Sequence, residues 1–217
     1  MKTFCVALLF AVAGTPLGAQ ADVSARLAGR VSPEIATLVR QLATSAAARG
    51  LPVDPLIQKA IEGSAKGVPA DRVATALRAL SGQLDAAAAA LKQAGAAQPD
   101  TDAIAAGAFA LNAGLSGQNV TALALASRPP NSVAATLRVA STLAAMGVPA
   151  TETVELVTQV IAAGGNTTEV LGLPAQVMAG VSRGGGVTPA QAAAGLARAA
   201  AARANAPGQQ RPRPSHP

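Results

Sequence analysis

Residues 50–91, GLPVDPLIQKAIEGSAKGVPADRVATALRALSGQLDAAAAAL, contain two helix stops followed directly by helix starts. Gly50-Leu51-Pro52 runs into Asp54-Pro55, and seventeen residues later Gly67-Val68-Pro69 runs into Asp71. Glycine ends a helix because it reaches the left-handed backbone region without a Cβ clash. Proline suits a first turn because its φ is preset and it has no amide to orphan. Between these stops Leu56, Ile57, Ala60, Ile61 and Ala65 recur at three- and four-residue steps, which puts them on one helical face with Lys59 and Lys66 elsewhere. Val73, Leu77, Leu80, Leu84, Ala87 and Leu91 then trace the seam of closely packed helices, and the alanine run keeps that helix slim.

The same grammar extends in both directions. Ser32-Pro33-Glu34 starts a helix carrying Ile35, Leu38, Val39, Leu42 and Ala46, and Arg49-Gly50 closes it. Asp22–Arg30 reads as a polar lead-in with Val23 and Leu27 as anchors. Beyond Leu91, Asp100–Asp102 start a helix with Ile104, Ala108 and Leu111 inward, and Phe109 is expected in the core as most phenylalanines are. Ser116–Asn119 start the next helix, which Arg128-Pro129-Pro130 ends. Val133, Leu137, Ala140 and Ala144 form a further stripe, and Gly147-Val148-Pro149 repeats the opening punctuation. Gly164-Gly165-Asn166 stops that helix. Gly172-Leu173-Pro174 marks a kink or a new start ahead of Val177, Met178 and Val181, and Thr188-Pro189 caps a final alanine-rich helix to about Ala204.

The expected fold is all-α, an irregular bundle of about eight to nine short helices joined by Gly/Pro turns, with no match to a common helical repeat. Uneven spacing of the units favours a compact bundle over an extended superhelix. Lys2, the apolar run Phe4–Ala13 and Ala19-Gln20-Ala21 have the order of a signal peptide, residues 1–21, cleaved after Ala21. A single helical domain then occupies 22–205. Residues 206–217, APGQQRPRPSHP, lack apolar anchors and read as a disordered tail.

Composition narrows the chemistry. The chain of 217 residues has one cysteine, Cys5 in the leader, one histidine, His216 in the tail, and neither tyrosine nor tryptophan. The domain itself therefore has no thiol nucleophile, no histidine triad and no Cys/His metal set, and no catalytic, cofactor-binding or metal-binding residues are assigned. The net charge of +6 falls to +5 when Lys2 leaves with the leader, and the basic residues are dispersed near helix ends, among them Arg49, Lys66, Lys92, Arg128, Arg183 and Arg203. Without base-stacking aromatics this argues against nucleic-acid binding.

Most of the eleven carboxylates have a structural duty. Glu34, Asp54, Asp71, Asp100, Asp102, Glu152, Glu155 and Glu169 stand near helix starts, Glu62 can pair with Lys66, and Asp22 becomes the new terminus. Asp85 alone has none, and a hydrolase built on it needs a second carboxylate brought in by folding. The glycine-rich stretches at Gly164 and Gly184 lack the lysine and spacing of a phosphate loop. Asn119-Val120-Thr121 and Asn166-Thr167-Thr168 match a glycosylation triplet.

The chain thus reads as an exported, periplasmic or secreted helical interaction or structural protein, with an unknown protein or envelope component as partner and no cofactor. A surface-active protein that binds lipid or a hydrophobic ligand through amphipathic helices, with peripheral membrane contact, is the alternative. A carboxylate hydrolase comes third.

Overall fold

In the computed structural model, residues 17–127, 129 and 131–206 are described, with side chains from residue 22 onward. Residues 1–16, which hold most of the expected signal peptide, Arg128, Pro130 and residues 207–217 of the expected tail lie outside them. The described residues form eleven helices and no strand. In order these are α1 (Leu17–Leu27), α2 (Pro33–Ala48), α3 (Asp54–Ala65), α4 (Ala70–Gln93), α5 (Thr101–Asn112), α6 (Gly117–Ala126), α7 (Val133–Ala145), α8 (Ala150–Ala162), α9 (Thr167–Leu171), α10 (Leu173–Arg183) and α11 (Pro189–Ala204). The number exceeds the expected eight to nine for two reasons. The supposed lead-in is helical, and Gly172 separates two helices.

Helix starts follow local chemistry. Ser32, Ser116, Ser132, Asn166 and Thr188 each accept a hydrogen bond from the amide three residues on, which satisfies one of the orphan donors of the first turn. Glu169 and Gln191 return a bond to the cap backbone, as does Asn119. The glycosylation-like Asn119 and Asn166 are thus committed to capping. Asp100 stands at the N-cap of α5 as expected, though without a side-chain bond, whereas Glu155 lies past the first turn of α8 and does not do the duty expected of it.

Packing follows chain order. All substantial helix–helix contacts join elements no more than three apart, with α4 against α2, α3, α5 and α6, α5 against α7, α6 against α8, and α8 against α11. The α1–α3 group makes no substantial contact with α7–α11, so the bundle is built as a row. A continuous apolar core threads it, including Leu56, Leu77, Leu84, Leu123, Leu137 and Leu156, all fully buried. The whole seam expected in α4, from Val73 to Leu91, is buried.

Three expectations about facing require correction. Phe109 is 45 % exposed: α5 packs on α4 through Gly107, where an added Cβ would lie 3.0 Å from that of Ala87, and Phe109, about 200° further round the helix, faces away from that contact. Ala65 is exposed at the end of α3, where Lys66 and Gly67 already turn the chain away. Of Val177, Met178 and Val181 only Val177 is fully buried, since α10 packs one narrow face on α11 while Met178 points to solvent.

Candidate functional site

Asp85, the carboxylate without an assigned duty, acquires one. Its Oδ2 lies 3.2 Å from Nη1 of Arg49, the C-cap residue of α2, and both side chains are roughly half exposed. The partner is therefore a cation, not the second acid that glycoside hydrolysis requires. Among the described residues no three His, Cys, Asp or Glu gather as a metal set. Glu62 pairs with Lys66 as expected, and Lys59 adds a second contact at 3.8 Å. The hydrogen bond from Lys66, helped by the charge of Lys59, holds the Glu62 carboxyl below its ordinary pKa.

The surface feature with the most chemical definition is a groove of about 320 Å³ between α1, α2 and α3. Its floor is set by helical periodicity. Val23 of α1, Ala43 of α2 and Ile57 of α3 are buried by the packing of the three helices, while Ala47 and Ala48 continue the α2 wall out to the surface. Alanines on that wall are short enough to leave a concavity where larger side chains would close the core. Val53, half-buried before the first turn of α3, forms the opposite lip.

Charge lies at the rim. Arg26 hydrogen-bonds through Nη1 to Oδ1 of Asp54 and sits 3.9 Å from Oδ2 of Asp22, so it clamps α1 to the start of α3. The Asp54 hydrogen bond, opposed by desolvation and aided by the charges of Asp54 and Asp22, raises the Arg26 pKa further above neutrality. Arg40, on the α2 side, donates from Nη2 to Thr37 Oγ1 at 2.9 Å and forms no ion pair with another described residue. An apolar floor with few polar groups at its edge, and a volume near the lower end of the 300–1,000 Å³ typical of small-molecule sites, are the general features of a ligand pocket.

The sequence singled out Val23 as an anchor and Asp54 as a helix-start acid but did not place them together. Arg26 and Arg40 carried no signal at all. Each looks like an ordinary surface cation until the fold brings α1 beside α3. No family model, curated protein or solved structure matches this chain.

Proposed function

We propose that the protein is an exported helical interaction protein that engages a protein or envelope component through the groove between α1, α2 and α3, and that it is not an enzyme. The groove carries this reading, because an open apolar concavity exposes surface whose burial by a partner is favourable. Export rests on the leader. Cleavage after Ala21 would remove Leu17–Ala21 from the start of α1 and leave its two buried anchors, Val23 and Leu27, in the mature chain. Amino-terminal sequencing of protein recovered from the envelope or culture fluid should begin at Asp22; an intact leader on mature, fractionated protein would contradict export.

A photo-crosslinking residue at Ala47, on the groove wall, should capture a discrete partner in the envelope fraction. The same group at Gln118, exposed on α6, should not. Equal labelling from both positions, or none from Ala47, would count against the groove as the interaction surface.

The same observation favours the second reading, a protein that binds a hydrophobic ligand. The groove's size fits a small molecule, and its lining between the charged rim residues is mainly apolar.

A further inference from the structure

We infer that the groove between α1, α2 and α3 takes a free single-chain amphiphile with an anionic head group, its tail against Val23, Ala43 and Ile57 and its head at Arg40. This rests on the hydrophobic-ligand reading and adds to it a class of ligand and the residue that recognises it. Three observations carry it.

First, the volume of about 320 Å³ is at the small end of ligand sites, the scale of one acyl chain. Second, Ala43 and Ala47, four residues apart on α2 and so on one face of it, both line the groove with short side chains. Third, the charges at the rim are segregated. Arg26 draws Asp22 and Asp54 to the α1–α3 side, whereas Arg40, on α2, has the Thr37 hydroxyl as its side chain's hydrogen-bond acceptor among the described residues. The guanidinium retains donors to spare for a carboxylate, which it can bind in a forked, charge-assisted pair.

The test is calorimetric titration of the purified protein with laurate and with dodecanol, a neutral ligand of the same tail, below the concentration at which laurate forms micelles. Laurate should bind at one per chain. Arg40→Gln should weaken laurate about tenfold while leaving dodecanol unchanged, and Arg40→Lys, which keeps the charge but not the fork, should restore only part of the loss. Ala47→Phe should abolish binding of both without changing the far-UV circular dichroism. Should that variant misfold, Ala48→Phe, at another exposed position on the same wall, serves instead.

If dodecanol binds and is blocked by Ala47→Phe, but laurate is indifferent to Arg40→Gln, head-group recognition is overturned and the hydrophobic-ligand reading stands. If neither amphiphile binds, both fall. Sedimentation with phosphatidylglycerol vesicles should leave the protein in the supernatant; co-sedimentation that Ala47→Phe removes would assign the anionic head to a lipid surface and overturn the free amphiphile.

Discussion

Gly165 shows how one residue can be fixed by its neighbours. A Cβ there would lie 2.6 Å from the carbonyl oxygen of Val160 and 2.7 Å from its Cγ1, distances at which the backbone itself must move. The carbonyl of Gly165 also accepts a hydrogen bond from Asn131 Nδ2 at 3.2 Å, which ties the start of α7 to the α8–α9 turn. Gly165→Ala is therefore expected to cost about 1–3 kcal/mol in urea denaturation. Gly82 provides the internal contrast. It lies within α4, is exposed, and has open space where a Cβ would go, so Gly82→Ala should stabilise by about 0.5–1 kcal/mol by removing unfolded-chain entropy. Equal effects of the two substitutions would contradict the packing described. The same scale disposes of Asp85 as a lone acid. Its ion pair with Arg49 is half-exposed, and such pairs contribute about 0–1 kcal/mol, so Asp85→Asn should leave stability nearly unchanged.

At the scale of elements, one turn recurs. At Gly67, Gly114, Gly147 and Gly164 the chain adopts positive φ, the glycine amide and the next amide bond back to the preceding helix, and the following helix begins three residues on. The sequence pattern Gly-Leu/Val-Pro marks only two of these four. Pro69 and Pro149 hold the N-cap in extended conformation, not the first helical position expected of them, whereas Ser116 and Asn166 do the same work with side-chain hydrogen bonds. Conversely Gly172-Leu173-Pro174 fits the pattern but forms no such turn, because Gly172 is helical with φ −76°. Helices and their stops were legible because periodicity and capping are local. The identity of the turns was not, because two different chemistries close the same geometry. Replacing Ser116 or Asn166 by alanine should cost about 0.5–2 kcal/mol each by equilibrium denaturation, the usual loss for a side-chain cap. A negligible loss at both would show that the backbone bonds alone hold these corners.

For the whole molecule, the row-like packing governs both stability and the site. Apolar periodicity identified the buried seam of α4 and most of each stripe, but it could not show that α1 returns to α3, since the Arg26–Asp54 bond spans 28 residues and depends on tertiary packing. The groove was illegible for that reason, and Phe109 was misjudged because close approach through Gly107 is a property of two helices together. Where neighbours carry the stability, damage should stay local. Leu156→Ala, a truncation of a fully buried side chain in α8, should cost about 2–5 kcal/mol and lower hydrogen-exchange protection in α6, α8 and α11 more than in α2 and α3. Uniform loss along the chain would indicate a single cooperative core instead. The most direct test of the central claim, that the α1–α3 groove is the binding surface, is a methyl NMR titration with dodecanol. Saturable shifts are expected at Val23, Val53 and Ile57 with Val120, Val139 and Val177 unmoved; shifts spread evenly over all six, or absent at the first three, would contradict binding in the groove.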